Sequence, residues 1–322
     1  MVRFLKGRLL GIRLVMLAGA LTLIALGIVT IYAIGNPAAP QNSDTQQFEN
    51  LWKKQILFAA IAFIAYITVN IINYRRLGRI SYWLYALSLL LLAVLLLDNF
   101  IDLPFVPVIN NARRWLKIHP ALPSIQPSEF CKITYIIALA WYLRYRSNYR
   151  NFKALFGPFI LTILPMFLIL LEPDLGTVLL MLPTLFIMLF IAGAKIKHLL
   201  IIIFLALLVS PLLWMRMNNY QKIRISSVIL QNEWVQKKAE QHPVIGKILV
   251  GEKFSKKQWE NDWGYHLIRS KYAVAAGGLK GNGFAKGPFI KYNFLPERHN
   301  DFIFAAIAQQ WGFYGCLIVI AL

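Results

Sequence analysis

Apolar residues fall in runs of about 20 along this chain, the length a helix needs to cross the roughly 30 Å hydrocarbon core of a bilayer. Eight runs stand out, at 12–34, 52–73, 80–97, 129–147, 154–171, 174–193, 197–215 and 301–322. They predict an all-α, polytopic membrane protein with eight transmembrane helices. The first run is too long for a removable signal peptide and has no small-residue cleavage site, so it is expected to stay as a signal anchor. Composition agrees: 58% of the 322 residues are hydrophobic, and the mean hydropathy of +0.56 lies outside the range of soluble domains.

The polar segments set an orientation. Arg3, Lys6, Arg8 and Arg13, then Arg75, Arg76 and Arg79, then Arg144, Arg146, Arg150 and Lys153, then Lys195 and Lys197 all fall on one side. By the positive-inside rule that side is the cytoplasm. The alternate segments face outward: 35–51 with Asp44 and Glu49, 98–128, the turn Glu172–Asp174, and a long stretch over 216–300. That stretch is itself basic, but long loops translocate largely regardless of charge.

The net charge of +20 has two readings. One is the topology signal together with attraction to anionic membrane lipids; the other is an anionic ligand outside. Nucleic acid is not expected, because the basic residues are spread over membrane loops without a binding motif. Cys131 and Cys316 both lie in apolar runs and imply packing rather than a disulfide framework.

With no internal repeat or soluble appendage, 1–322 is read as a single membrane domain with 216–300 as its large extracytoplasmic loop between helices seven and eight. Within that loop 219–262 is polar and lacks clear periodicity. In contrast, 264–300 is rich in glycine: Gly264, Gly277, Gly278, Gly281, Gly283 and Gly287. These serve ordinary turns or allow close backbone approach around a ligand. In the last run Ala305, Ala308, Gly312 and Gly315 lie within about 40° of Asp301 on a helical wheel. Such a stripe lets another helix approach closely and turns Asp301 toward the bundle. The chain ends at Leu322 inside an apolar run, and its natural form is expected to continue further.

Four polar clusters interrupt the apolar pattern on the outer side: Asn110–Trp115 with Arg113 and Arg114, Gln126–Lys132 with Glu129, Glu172–Gly176 with Asp174, and Pro296–Asp301 with Arg298 and His299. Each has a structural reading. Glu129 and Lys132 are spaced to pair within one helix turn. Glu172 and Asp174 would complement a helix dipole, and Arg113, Arg114 and Trp115 would anchor at the interface. Together they call for a shared polar cavity. Asp301 stands out, because an ionisable group at the mouth of a membrane helix is costly to keep there unless it has a function. The five histidines, His119, His198, His242, His266 and His299, have no metal-ligand spacing, and neither a nucleophile elbow nor a phosphate loop is present.

The ordered segments Asn111-Ala-Arg-Arg-Trp115, Gln126-Pro-Ser-Glu129 with Lys132, Glu172-Pro-Asp-Leu-Gly176, Gly264-Tyr-His with Ser270-Lys, Gly277-Gly-Leu with Gly281 and Gly283, and Phe294-Leu-Pro-Glu-Arg-His-Asn-Asp-Phe-Ile-Phe-Ala305 resemble the RodA/FtsW/SpoVE (SEDS) family, most closely its RodA branch. The resemblance spans about 110–316. It implies ten helices in the family and a peptidoglycan glycosyltransferase that polymerises lipid II at the outer face of the cytoplasmic membrane. It further implies a class B penicillin-binding transpeptidase, other elongation-complex proteins and membrane lipids as partners.

The same resemblance makes Asp301 the catalytic aspartate, and a carboxylate at the membrane surface suits deprotonation of a sugar hydroxyl. Arg113, Arg114, Lys132, Arg269, Lys271 and Arg298 would meet the charge on the leaving pyrophosphate, with a divalent cation (Mg or Mn) as an optional addition. Glu129, Glu172 and Asp174 are assigned to shaping the cavity or positioning the lysine. Glu297 and His299 are assigned to hydrogen bonds around Asp301. Three departures from the family pattern stand out: Asn300 replaces the usual threonine, Gln309 and Gln310 replace an acidic pair, and 219–262 is longer than usual. A flippase for lipid-linked precursors and a non-catalytic scaffold of the elongation complex are the alternatives.

Overall fold

All eight apolar runs are helical in a computed structural model of the protein, which describes residues 8–36, 50–72, 74–98, 101, 103–108, 113–117, 124–145, 151–172, 174–217, 219–292, 294–295 and 297–322. Arg3, Lys6, Asp44, Glu49, Asn110–Ala112, His119, Arg146, Arg150, Pro173 and Pro296 lie outside the described residues. The helices from these runs are α1 (Arg8–Gly35), α2 (Leu51–Ile71), α3 (Tyr74–Leu97), α4 (Pro127–Arg144), α5 (Phe156–Leu171), α6 (Leu175–Ile191), α7 (Ile196–Arg216) and α14 (Ile303–Ala321). Six of them are long and apolar enough to cross a membrane. Of the other two, α6 has 17 residues, and α4 carries Glu129, Lys132 and Arg144.

The segment between α7 and α14 is largely helical as well. It forms α8 (Asn219–Ile229), α9 (Glu233–Gln241), α10 (Pro243–Val250), α11 (Lys256–Asn261), α12 (Tyr265–Gly277) and α13 (Pro288–Lys291). No period shows over 219–262 because each helix there is only two or three turns long. They are delimited by local chemistry: the Asn232 side chain accepts from the Trp234 N–H at the start of α9, His242-Pro243 separates α9 from α10, and Gly251 ends α10 in the left-handed region. These short helices close over a core of Leu230, Ala239, Val250, Phe254 and Trp259.

Helix packing divides the chain into two units, one of Met1–Ile71 with Leu213–Leu322 and the other of Ile72–Leu212. In the second, α4 runs antiparallel to both α3 and α5. Gly78 lies against Trp141 and Gly157 against Tyr142. The Ser88 and Thr134 hydroxyls are 2.8 Å apart, and those of Tyr135 and Thr162 are 3.0 Å apart. The core holds Tyr135, Leu139, Ile169, Met181 and Leu185. The hydroxyls of Tyr85, Ser88, Thr134, Tyr135 and Thr162 satisfy one another or helix carbonyls, as a bilayer requires, whereas the buried Ser81 hydroxyl has no partner among the described residues.

In the first unit, α1 packs on α2 and α14, and α12 packs along α14. Ile34, Ala273, Ile290, Leu295, Ala305 and Ala306 form its core. The small-residue stripe performs its predicted job at Ala308: a Cβ on Gly277 of α12 would lie 2.0 Å from the Ala308 carbonyl oxygen. The stripe does not continue as one straight face, however. Gly312 has φ 63 and ψ −159 and breaks α14. The 278–283 segment enters that break and takes up its backbone groups. The Asn282 and Gly283 N–H groups donate to the Gln309 and Gln310 carbonyls at 2.9 and 3.0 Å, and the Phe313 N–H donates to the Gly278 carbonyl at 2.9 Å. Gly315 is therefore out of register with Ala305 and Ala308.

Candidate active site

Asp301 sits in a turn over 297–302, two residues before α14 begins, and is exposed. Its position is thus ahead of the helix rather than on a helical face. The turn is closed by the Asn300 and Phe302 N–H groups donating to the Glu297 carbonyl at 3.0 and 3.3 Å. Glu297 takes φ 46, the left-handed region that costs a non-glycine residue energy. From α12, His266 stacks on Phe302 at 6.1 Å with the rings 3° from parallel. Asp301 lines a cavity of about 450 Å³ together with Ser270, Lys271, Val274, Ala275 and Ala305. Among the described residues, no hydrogen bond or ion pair engages the Asp301 carboxylate.

The neighbours of Asp301 are committed elsewhere. Arg298 is buried at 2% exposure, and its Nη1 donates to the Ile290 carbonyl at 3.2 Å. Burial lowers its pKa to about 10, which leaves it charged at neutral pH. Its guanidinium thereby joins α13 to the turn. Asn300 Nδ2 donates to Glu297 Oε2 at 3.1 Å and lies 3.0 Å from His299 Nε2. Burial lowers the His299 pKa and Glu297 opposes the shift, so His299 is an uncharged neighbour at neutral pH. Arg269 lies over the rings of Tyr265 and Phe294 at 4.9 and 5.5 Å. Of the basic residues singled out in this unit, Lys271 alone lines the Asp301 cavity.

Gln309 and Gln310 are fully buried. The Gln310 amide accepts from the Ala285 N–H at 3.2 Å and donates to the Ala306 carbonyl at 3.3 Å. A group at this position must both donate and accept. An amide does so at any pH, whereas a carboxylate would only accept.

The other polar clusters belong to the second unit, at the end where α3 and α5 finish and α4 and α6 begin. Asp174 caps α6 with Oδ2 to the Thr177 hydroxyl at 2.8 Å and Oδ1 to its N–H at 3.3 Å. The same carboxylate accepts from Gln126 Nε2 at 3.2 Å and Ser128 Oγ at 3.4 Å. It fastens the starts of α4 and α6 together. Lys132 and Glu129 form the i, i+3 pair at 2.7 Å. Arg113 meets Asp98, with Nη1 at 2.8 Å from Oδ2 and 2.7 Å from the Asp98 carbonyl. Asp98 also accepts the Leu103 N–H at 2.6 Å. Asp98 went unrecognised in the sequence because it belongs to no motif. The available signal was an acid at a helix C-terminus, where the dipole disfavours it and a cation partner is needed.

Glu172 differs from these. It is 3% exposed, and neither carboxylate oxygen has a hydrogen-bond partner among the described residues. Burial first, then Asp174, raises its pKa to about 8 against the lowering effect of Arg114. Glu172 is therefore mostly protonated at neutral pH.

Of the polar residues expected to share one cavity, Arg269, Lys271, Arg298, His299 and Asp301 belong to the first unit, and Arg113, Arg114, Glu129, Lys132, Glu172 and Asp174 to the second. Among the described residues no three Asp, Glu, His or Cys side chains converge on a metal-sized space.

A sequence profile of the FtsW/RodA/SpoVE cell cycle proteins matches residues 13–322. Peptidoglycan glycosyltransferase RodA of Treponema pallidum is 29% identical, the match covering 94% of this chain and 77% of that protein. Stage V sporulation protein E of Bacillus subtilis is 31% identical over 94% of this chain and 73% of its own length. A solved peptidoglycan synthase complex, described as coordinating polymerization and crosslinking, contains a chain that superposes with a TM-score of 0.65 at 26% identity. That match covers 95% of this chain and 73% of the other. With the profile spanning nearly its whole length, the chain belongs to the FtsW/RodA/SpoVE family of multi-pass membrane proteins.

Proposed function

We propose that this protein is a peptidoglycan glycosyltransferase of cell elongation that polymerises lipid II, with Asp301 as general base. The observation that carries the reading is the placement of Asp301. It is an exposed carboxylate without a hydrogen bond among the described residues, at a cavity of about 450 Å³ that also holds Lys271 and Ser270. In that position it takes the proton from a sugar 4-hydroxyl as the oxygen attacks the anomeric carbon of the second sugar. The bond from that carbon to the lipid pyrophosphate breaks as the new glycosidic bond forms. Pyrophosphate leaves as an anion and needs charge stabilisation rather than a general acid, which Lys271 supplies from α12.

The active site faces outward from the bacterial cytoplasmic membrane in this reading, on the side opposite the basic ends of the helices. A class B penicillin-binding transpeptidase is the partner that crosslinks the strands. Membership of the family and the named activity of the Treponema relative support the assignment. A flippase would call for ionisable groups at mid-membrane. In the described spans the charged residues keep to the first two turns or the last one, as Arg79, Lys132 and Arg216 illustrate.

The test is synthesis of glycan strands from purified lipid II by the full-length protein with its transpeptidase. Strands from wild type and none from a folded Asp301→Ala variant are expected. An active Asp301→Ala variant would remove the base assignment, and no strands from either protein in an intact complex would remove the polymerase.

A further inference from the structure

At the opposite end of the second unit from Glu172 and Asp174, α3 and α4 enclose a concavity of about 390 Å³ lined by Arg75, Arg76, Arg79, Trp141, Arg144 and Tyr145. The 18 residues of α4 separate it from that polar cluster by about 27 Å at 1.5 Å per residue. All four arginines are exposed. The positive-inside rule accounts for their sign but not for their gathering around a hollow with two aromatic walls. That shape has a local cause. Gly78 carries no side chain, and a Cβ there would lie 2.1 Å from Trp141 Cε3. The indole therefore rests on the backbone of α3, between the turns that carry Arg75 and Arg79. Arg144 is held over the rings of Trp141 and Tyr145 at 5.3 and 5.5 Å, a cation–π contact that fixes a long side chain at the rim.

The one acid of these two helices, Glu129, stands at the far end of α4 and pairs with Lys132. The sequence holds no Asp or Glu over 72–97, 130–171 or 175–212. Guanidinium groups bind phosphate in a bidentate way and keep their charge at every physiological pH. Four of them around one hollow match two phosphates better than one.

The surface leading away from the hollow identifies the source of those phosphates. Ile80, Trp83, Leu87 and Leu90 lie within about 40° of Arg76 around α3 at 100° per residue. All four are exposed, Trp83 to 79%. An apolar strip that starts at the arginines and follows the helix along its length suits acyl chains below a phosphate headgroup.

We propose that this pocket is a specific site for an anionic phospholipid with two headgroup phosphates, its phosphates held by Arg75, Arg76, Arg79 and Arg144 and its chains along the Ile80–Leu90 strip. The site does not depend on the activity proposed above. Occupied, it would fasten the ends of α3 and α4 to the headgroup layer.

Native mass spectrometry of the full-length protein, stripped of lipid in detergent, tests this with cardiolipin, phosphatidylethanolamine and inorganic pyrophosphate as probes. One cardiolipin is expected to be retained well above phosphatidylethanolamine. The triple variant Arg76→Gln, Arg79→Gln, Arg144→Gln is expected to lose about 100-fold in cardiolipin affinity, the factor implied by the usual contribution of three basic residues at a membrane surface. A second triple variant, Lys237→Gln, Lys238→Gln, Lys247→Gln, removes the same charge from α9 and α10 and is expected to bind as wild type does. Should the arginine variant misfold, Arg76→Lys, Arg79→Lys, Arg144→Lys keeps the charge without the bidentate geometry and is expected to fall between. Equal cardiolipin binding by wild type and both arginine variants would overturn the proposal. So would equal losses in the arginine-to-glutamine and lysine variants, or displacement of the lipid by pyrophosphate at matching concentration.

Discussion

Asp98 and Asp174 of one unit and Asp301 of the other are used in opposite ways. In the Ile72–Leu212 unit, Asp98 and Asp174 are saturated: one holds Arg113 and a backbone N–H, and the other caps α6 while tying down Gln126 and Ser128. In the other unit Asp301 faces a cavity with its oxygens uncommitted among the described residues, while its neighbours Glu297, Arg298 and Asn300 build the turn that presents it. A carboxylate fully occupied by structural bonds is poorly placed to accept a substrate proton. An exposed one on a braced turn is available for it. Sequence motifs mark Asp301 and Asp174 and pass over Asp98; hydrogen bonding separates the two structural aspartates from Asp301.

The contrast can be broken or sharpened by substitution. Asp98→Ala should have the largest effect on folding. It strands Arg113 and the Leu103 N–H and costs about 3 kcal/mol, at the low end for a broken buried pair because Arg113 keeps partial exposure. Thermal unfolding in detergent would register it. Gly312→Ala is next, at about 1–2 kcal/mol or more for a positive φ, with added crowding because its Cβ would lie 2.4 Å from the Gly281 nitrogen. Since Gly312 holds the 278–283 segment in α14, proteolysis of that segment should also quicken.

Glu172, the carboxylate beside Asp174 that is unpartnered among the described residues, is tested by pH. Its folded pKa is raised to about 8, so the folded state keeps a proton that the unfolded chain releases above its ordinary value near 4.5. The stability this group allows is fully present below pH 4.5 and is lost as pH rises toward 8. Unfolding temperature should therefore fall over that window in wild type and fall less steeply in Glu172→Gln, with the variant the more stable protein at pH 8. The smallest effect is expected from Asn300→Ala. It removes the amide that spans Glu297 and His299 and costs about 1 kcal/mol, with a severalfold loss of activity as the Asp301 turn loosens.

Helix positions were legible because about 20 apolar residues in a row have few alternatives in a bilayer. The run read at 52–73 is α2 at Leu51–Ile71, and that at 301–322 is α14 at Ile303–Ala321. The start of α3 was placed six residues late, at 80 rather than Tyr74. Arg75, Arg76 and Arg79 reach outward from a helix that continues beneath them. The break at Gly312 was not legible, because a glycine in a small-residue stripe reads as a packing position. Its positive φ depends on the 278–283 segment, which lies about 30 residues earlier. Motifs marked Asp301, Lys132 and Asp174 as polar positions, and the structure gives Asp301 a place at a cavity and Lys132 and Asp174 their bonds within the second unit. The Asp98–Arg113 pair and the bond from Arg298 to the Ile290 carbonyl were not legible, because neither belongs to a motif spacing.

The central claim is that Asp301 is free for chemistry while Asp174 is spent on structure. It is tested most directly by measuring glycan-strand formation and unfolding temperature on the same preparations of Asp301→Asn and Asp174→Ala. The account predicts that Asp301→Asn loses about 10²–10⁴-fold in rate, the usual contribution of a general base, at an unchanged unfolding temperature. It predicts that Asp174→Ala loses about 0.5–2 kcal/mol of stability, as for a removed helix cap, while its folded fraction still makes strands. Wild-type rates from Asp301→Asn, with inactivity of a fully folded Asp174→Ala, would contradict it.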